Sequence, residues 1–419
     1  MNRTNGFRMA AVLCASAVQA ALPSTARGEG SFKWDAKAYG FLNAAVERVE
    51  APGGATPYEA RGRVSDGNSR IGVGGSIELA PKTKAIWQLE ASLNGFEQAG
   101  VNDRGLLASI TSRNTFVGVA DERFGSLVFG NVDSAYRSLV GSGGELGGNL
   151  GLTIFGLDLW NNTTAQMSGN PDSVFSRGEA RYKNSVHYLS PDWIVRGAAS
   201  YAFDEAGAPG VRRDRAALAA RLKLGAFQLG AGVDWQGDTG IDTVALQQGY
   251  GLRGAAQDGV ATCYYKAVAS YLFPTATYVG VGLERSNYGY AQQAVPSPGN
   301  PYAGLVKGTM RQTGGMISAA QGIGKLALMA SFGKLWGLDG AIQGSPGDYA
   351  AWQVSAGALY ALAEQFAAYV YFTRIDNGSG QSVNLGQAPL YSNGLGTDAG
   401  YLAPGDSPRG FGVGLIARF

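Results

Sequence analysis

Side chains that could carry out covalent or metal chemistry are scarce in this chain of 419 residues, which has one histidine, His187, and two cysteines, Cys14 and Cys263. Hydrolases need a nucleophile that is activated by a base, commonly histidine. Zinc sites draw several ligands from histidine and cysteine. His187 is therefore interpreted as a histidine whose hydrogen bonds are satisfied locally, and the sequence predicts no catalytic residue, no metal and no cofactor.

Two sequence motifs that would support other kinds of site are missing or incomplete. No Gly-x-Ser-x-Gly elbow marks a nucleophilic serine. The glycine-rich stretch from Gly141 to Gly151 lacks the Gly-Lys-Ser/Thr ending that a phosphate-binding loop requires. Function must therefore be sought in how the whole chain is built.

The N-terminus has the pattern of a secretory signal peptide. Two arginines supply a positive start, and the segment from Met9 to Leu22 is mostly apolar but too short to span a bilayer as a helix. Small residues allow cleavage after Ala20 or after Ala26. We expect residues 1–26 to be the signal, which leaves Cys263 as the single cysteine and excludes an intrachain disulfide.

The charge balance argues against nucleic-acid binding. The chain has 34 Lys and Arg against 32 Asp and Glu. Removing residues 1–26 takes away two arginines and no acid, so the remainder carries no formal net charge. No later stretch has 18 consecutive apolar residues, so no transmembrane helix is indicated. A soluble protein and a membrane barrel both remain possible, and the alternation of apolar and polar residues along the chain must distinguish them.

The last nine residues alternate strictly between apolar and small or polar. Phe411, Val413, Leu415, Ala417 and Phe419 share one face of a strand, whereas Gly412, Gly414, Ile416 and Arg418 share the other. An uncapped apolar strand at a chain end invites aggregation in a soluble protein. A closed barrel in a membrane removes that edge.

About sixteen segments show this alternation, and the connections between them are short and long in alternation along the chain. The predicted segments are 34–49, 69–80, 83–95, 112–121, 124–131, 179–189, 191–204, 212–224, 226–236, 258–272, 275–287, 308–321, 324–335, 349–362, 365–376 and 406–419. The predicted long connections include 50–68 and 132–178. Sixteen strands of about ten residues favour an all-β, antiparallel transmembrane barrel with long external loops, and a soluble all-β fold is the alternative.

Several motifs resemble those of the Gram-negative general diffusion porins, most closely the trimeric β-proteobacterial outer-membrane porins. They are Ser69–Gly75, Ser112–Val119, Phe124–Gly130, Tyr182–Val186 and the terminal Phe419. Together they cover essentially the whole chain after the signal. The resemblance implies one porin domain, 27–419, in the bacterial outer membrane. It also implies a homotrimer in contact with outer-membrane lipid and lipopolysaccharide, in which a water-filled channel passes ions and small hydrophilic solutes.

The resemblance also implies which residues form the pore constriction. The third external loop, 132–178, should fold inward. Basic side chains at Arg70, Arg113 and Lys183 should line the wall.

Acidic groups on that loop should face the basic wall, with Glu145 and Asp158 as candidates. Phe419 should act as the membrane-assembly signal. The loop departs from the family's pattern, since the Tyr-Asp pair that is common early in the loop appears here as Tyr136 followed by Arg137. Ion preference is therefore left open.

Two alternatives remain open. A substrate-specific outer-membrane channel would line its lumen with an aromatic slide, and Tyr369 and Tyr371 share one strand face. An outer-membrane hydrolase would have to use His187.

Overall fold

The computed structural model describes ten stretches of the chain. They are residues 34–67, 69–93, 110–141, 173–205, 210–252, 254–256, 259–293, 304–385, 390 and 402–419. The predicted signal, 1–26, lies outside these described residues.

The described residues form twenty β-strand segments in chain order. These are β1 Trp34–Ala51, β2 Tyr58–Asp66, β3 Arg70–Ala80, β4 Thr83–Leu93, β5 Ile110–Ser112, β6 Thr115–Asp121, β7 Gly125–Asp133, β8 Arg181–Leu189, β9 Val195–Ala202, β10 Arg215–Leu224, β11 Phe227–Gln236, β12 Thr239–Ile241, β13 Gly254–Ala256, β14 Thr262–Leu272, β15 Thr277–Gln293, β16 Leu305–Ile323, β17 Leu326–Leu335, β18 Ala351–Ala363, β19 Phe366–Asn377 and β20 Arg409–Arg418.

The pairings join these segments into one closed, antiparallel barrel of sixteen strands, as predicted. Segments β2 and β3 are two parts of one barrel strand, because both pair with β1. Segments β5 and β6 are likewise two parts of one strand beside β4. The short β12 and β13 pair only with each other, in the connection between β11 and β14.

The predicted connection 50–68 is wrong, since β2 occupies Tyr58–Asp66 and the connection shrinks to a few residues. The reason is visible in the outward face of β2. That face presents only Ala60, Gly62 and Val64, so the alternating pattern has little apolar signal. The inward residues Arg61 and Arg63 gave this segment the polar composition of a loop, so it was predicted as a connection.

The barrel closes where the last strand meets the first. Ten successive residues of β1, from Phe41 to Glu50, pair with β20. Phe419 extends this seam, because its backbone N–H donates to the Gly40 carbonyl at 3.2 Å and its own carbonyl accepts from the Gly40 N–H at 2.7 Å. A side-chain carbon added at Gly40 would lie 2.2 Å from the Phe419 ring, so the glycine makes room for that ring.

The two faces of the wall differ in polarity, as the alternation predicts. Val46 pairs with Val413 on the outward face, and both are exposed, whereas the inward Glu47 pairs with Gly412. Four aromatic side chains near strand ends are exposed at the end of the barrel with the short turns. They are Tyr188, Trp193, Phe273 and Tyr360.

Two inward tyrosines brace the seam. The rings of Tyr369 and Tyr371, on β19, lie over Gly414 and Gly412 of β20, where an added side-chain carbon would come within 2.5 Å of them. The Tyr369 hydroxyl donates to Asn43 Oδ1 at 2.6 Å and the Tyr371 hydroxyl donates to Glu47, both on β1. The two rings therefore bridge β19 to β1 across the last strand, and buried rings held in this way do not form the aromatic slide of a substrate-specific channel.

In the ranges that the structure describes, the helices are short: Ala135–Val140, Thr243–Gln247 and the 3-10 turn Pro346–Tyr349. Among the residues the structure describes, none of these helices is long and apolar enough to cross a membrane.

Candidate functional site

Two of the predicted wall residues, Arg70 and Arg113, meet at a shared carboxylate. Arg113 follows β5, and its Nε donates to Glu90 Oε1 of β4 at 2.7 Å. The Arg70 Nε lies 4.0 Å from Glu90 Oε2. Tyr39 of β1 donates its hydroxyl to the same Oε2 at 2.8 Å. All four side chains thus come from neighbouring strands and meet on the inward face.

A second carboxylate, Asp133 at the end of β7, binds two further arginines. Its Oδ1 lies 3.0 Å from Arg137 Nε and 2.8 Å from Arg181 Nη2. Asn114, the neighbour of Arg113, donates to Asp133 Oδ2 at 3.1 Å and accepts from Arg181 Nε at 2.9 Å. Because Asn114 follows Arg113 directly in the chain, the two arginine groups lie side by side on the wall, and we treat them as one cluster.

A fifth arginine lies beside the first two. The guanidiniums of Arg70 and Arg418 stand 4.6 and 5.5 Å from the centroid of the Phe41 ring, so both contact the same aromatic ring. We call the whole group the arginine cluster; it contains Arg70, Arg113, Arg137, Arg181 and Arg418 with the carboxylates Glu90 and Asp133. Five positive and two negative charges leave it with a formal excess of three positive charges.

Lys183 does not join this cluster, although the sequence suggested that position. It is exposed, whereas Arg181, two residues before it, is buried against Asp133. The cause is a bulge: Asn184 has a φ of +48°, and the pairing of β7 with β8 shifts register between Gly130 and Val132. A bulge changes which residues face inward, and here Arg181 rather than Lys183 lies against Asp133.

The predicted acidic residues Glu145 and Asp158 lie outside the described residues. Both described ends of the long loop pack on the inward face of the wall. In the helix Ala135–Val140, the Ala135 N–H donates to Ser200 Oγ of β9 at 2.8 Å. A side-chain carbon at Gly232 of β11 would lie 2.9 Å from Val140. The loop therefore leaves β7 along the inside of the barrel.

The returning end, residues 173–180, is held to the far wall by a buried ionic network. Arg177 Nε lies 2.6 Å from Glu284 Oε1 of β15. Lys266 Nζ of β14 lies 2.5 Å from Glu179 Oε1 and 3.1 Å from Glu284 Oε2. All four side chains have no exposed surface, and we call them the loop anchor.

Neutral groups complete the contacts of the loop anchor. Lys266 Nζ donates to the Phe175 carbonyl at 2.9 Å, and Arg177 Nη1 donates to Tyr288 at 3.1 Å. Burial acts to lower the pKa of Arg177, but Tyr288 and Glu284 outweigh it and hold that pKa above its ordinary value. Burial raises the pKa of the nearby Tyr136 hydroxyl well above its usual range. Arg177 therefore stays charged and Tyr136 stays neutral throughout the ordinary pH range.

We expect Lys266→Met to loosen the loop. Removing one partner of a buried ion pair leaves a charge uncompensated and costs about 3–5 kcal/mol. Single-channel recordings should show added current noise and more frequent closures, and the midpoint of heat unfolding should fall. The double variant Lys266→Met/Glu179→Met removes both charges of one ion pair and leaves the ion pair between Arg177 and Glu284 in place. It should recover most of the loss, and quiet channels in the single variant would contradict the anchoring role.

The two residues considered for covalent chemistry, His187 and Cys263, lie in strands of the barrel wall. His187 is buried, and its two ring nitrogens lie 2.8 Å from Ser185 Oγ and 2.7 Å from Ser200 Oγ. Cys263 pairs with Trp235 on the outward side of the wall. Within the described ranges, no group of three or more His, Cys, Asp or Glu side chains is placed to hold a metal ion.

A comparison with protein families decides what kind of barrel this is. Residues 9–380 match the model that describes the Gram-negative porin. The chain belongs to the Gram-negative porin family. This porin is therefore a diffusion channel of the outer membrane. A search of curated proteins gave no significant match.

Solved structures share the fold at low sequence identity. The anion-selective porin from Comamonas acidovorans is 17% identical, with 92% of this chain and 100% of that chain covered and a TM-score of 0.66. The trimer form of OmpT from Vibrio cholerae is 17% identical, with coverage of 92% and 99% and a TM-score of 0.59. OmpF from Salmonella typhi, in complex with daunomycin, is 13% identical, with coverage of 92% and 97% and a TM-score of 0.56. At such identities the similarity concerns the fold alone.

Proposed function

We propose that this porin is a general diffusion channel that prefers anions. The observation that carries the proposal is the arginine cluster, whose excess of three positive charges lies on the inward face of the wall. An anion that passes near this group is attracted, and a cation is repelled. Arginine suits such a position because it remains charged even when other cations crowd it. The name of the Comamonas acidovorans relative, an anion-selective porin, agrees with this preference.

The narrow section of the channel would be made by the long loop against the arginine cluster. Both described ends of that loop run along the inside of the barrel, which supports an inward path for the remainder. Glu145 and Asp158 would then face the arginines from the loop. Fixed charges of opposite sign across a narrow section would create a transverse field, in which polar solutes align and from which apolar solutes are disfavoured. A positive role for Lys183 stays a prediction.

The proposed assembly is a homotrimer that associates through the outward face at the seam. This face is apolar: Val46 is 67% exposed, and Val413, Leu415 and Ile71 are also exposed. Contiguous exposed apolar side chains of this kind contact either lipid or another subunit. The solved trimer form of Vibrio cholerae OmpT offers a precedent on the same fold.

We infer that the porin carries out no chemistry on its solutes. His187 contacts two serines, and the hydroxyl of Ser185 is also within 2.8 Å of the Gly130 and Tyr182 carbonyls. A nucleophile needs a base that a third group orients, and the contacts of His187 described above are with hydroxyls alone. The substrate-specific channel is disfavoured because Tyr369 and Tyr371 brace the seam.

Two measurements on the purified, folded protein test the proposal. Vesicles that contain the porin should swell in small sugars and should stop responding as the sugar size increases. A reversal potential under a potassium chloride gradient should give a chloride-to-potassium permeability ratio above one. Swelling together with a ratio below one would retain the channel and overturn the anion preference.

A further inference from the structure

An uncharged side chain, Phe41 of β1, lies between two members of the arginine cluster. The register pairs Phe41 with Arg418 of β20 on one side and with Arg70 of β3 on the other. The three residues therefore occupy one rung across three neighbouring strands, on the inward face. Because β20 and β1 form the seam, this rung crosses the place where the barrel closes.

The ring of Phe41 separates two like charges. Neighbouring strands lie about 4.8 Å apart, so the backbones of Arg70 and Arg418 are about 10 Å apart with the β1 backbone between them. The guanidinium carbon of Arg70 lies 4.6 Å from the ring centroid, and that of Arg418 lies 5.5 Å from it. At both distances the face of an aromatic ring attracts a cation. The ring thus gives each guanidinium an attractive contact without adding negative charge.

A carboxylate competes with the ring for Arg70. The Arg70 Nε lies 4.0 Å from Glu90 Oε2, whereas the Arg113 Nε donates to Oε1 of the same carboxylate at 2.7 Å. Glu90 therefore has a close ion pair with Arg113 and a longer one with Arg70. An arginine that closes onto a carboxylate loses most of its field in the lumen, because the two opposite charges then act on a passing ion from nearly the same distance.

We propose that Phe41 is a specificity-determining residue of the channel, a role that rests on the proposed anion preference. Its ring holds Arg70 and Arg418 side by side toward the lumen and keeps Arg70 from closing onto Glu90. Arginine suits this arrangement because its planar guanidinium stacks on aromatic faces. The preference for anions then depends on an uncharged ring as well as on the number of charges.

Reversal potentials of three variants under a potassium chloride gradient test this role. Phe41→Leu keeps apolar volume but removes the ring, and Phe41→Tyr keeps the ring. Phe116→Leu is a matched control, because Phe116 lies on the inward face of β6 and pairs with Gln88 and Gly130 rather than with arginines. Phe41→Leu should lower the chloride-to-potassium permeability ratio about twofold to threefold, whereas the other two variants should stay within about 1.3-fold of the unchanged protein.

A Glu90→Gln background separates positioning of Arg70 from a general loss of structure. Without the carboxylate, Arg70 has no Glu90 to close onto, so adding Phe41→Leu should change the permeability ratio by less than about 1.3-fold. A purely structural role for the ring would not make its effect on the ratio depend on Glu90. Equal shifts from Phe41→Leu and Phe116→Leu, or equal shifts from Phe41→Leu with and without Glu90, would overturn the proposal.

Two features of the design keep the outcomes separate. If Phe41→Leu assembles poorly, Phe41→Met supplies the same comparison, since methionine is a flexible apolar side chain without a ring. A permeability ratio below one in the unchanged protein would overturn the proposed anion preference. The change caused by Phe41→Leu is measured relative to the unchanged protein, so it tests the role of the ring in either case.

Discussion

Replacing Arg70 and Arg113 together by glutamine should shift the selectivity of the channel strongly toward cations. The double variant reduces the excess charge of the arginine cluster from three to one. A unit charge about 7 Å from a passing ion contributes roughly 0.6 kcal/mol in water, with opposite sign for anion and cation, and salt screens part of this. We therefore expect the chloride-to-potassium permeability ratio to fall by about threefold to tenfold, as read from the reversal potential.

A matched control separates this site from total charge. Lys37 and Lys223 also lie on the inward face but outside the arginine cluster, and Lys37→Gln/Lys223→Gln removes the same two positive charges. This control should change the reversal potential much less. If the two double variants moved it equally, selectivity would depend on the charge of the whole lumen, and the local role of Arg70 and Arg113 would be wrong.

Deletion of Phe419 should sharply reduce the amount of folded barrel in the outer membrane. The deletion removes two backbone hydrogen bonds with Gly40 and the ring that covers this glycine. Two such bonds contribute about 2 kcal/mol together, and each 1.4 kcal/mol is a factor of ten in an equilibrium. We expect at least a tenfold loss of heat-modifiable protein in outer-membrane fractions.

Two substitutions divide this effect between the ring and the backbone. Phe419→Tyr keeps the ring and the backbone bonds and should assemble normally. Phe419→Ala keeps the two backbone hydrogen bonds but loses the ring, and it should give an intermediate yield. Normal yields from the deletion would show that the seam closes without its last residue.

Alternation predicted the barrel because the membrane imposes one physical rule on every strand. Each strand must present apolar side chains outward, and the sixteen strands follow this rule closely enough to be counted. It fails at β2, whose outward residues Ala60, Gly62 and Val64 are small or isolated. Alternation is also interrupted at Asn184, where a bulge adds a residue to β8 beside Lys183; the resemblance that placed Lys183 on the wall does not reveal this bulge.

The partners within the site were harder to predict than its position. Arg70 and Arg113 were expected on the wall, but their shared carboxylate Glu90 follows from strand register, which no spacing in the sequence gives. The loop anchor is harder still, because Arg177 and Glu284 are 107 residues apart. Contacts between residues so far apart in the sequence depend on both the closure of the barrel and the path of the loop.

Conductance of the purified porin in planar lipid bilayers tests the central claim most directly, because a lumen filled with water must carry ions. We expect stepwise increases in current whose size rises in proportion to the conductivity of the potassium chloride solution. Folded protein, verified by its β-rich circular dichroism, that inserts into the bilayer without raising its conductance would contradict a water-filled channel.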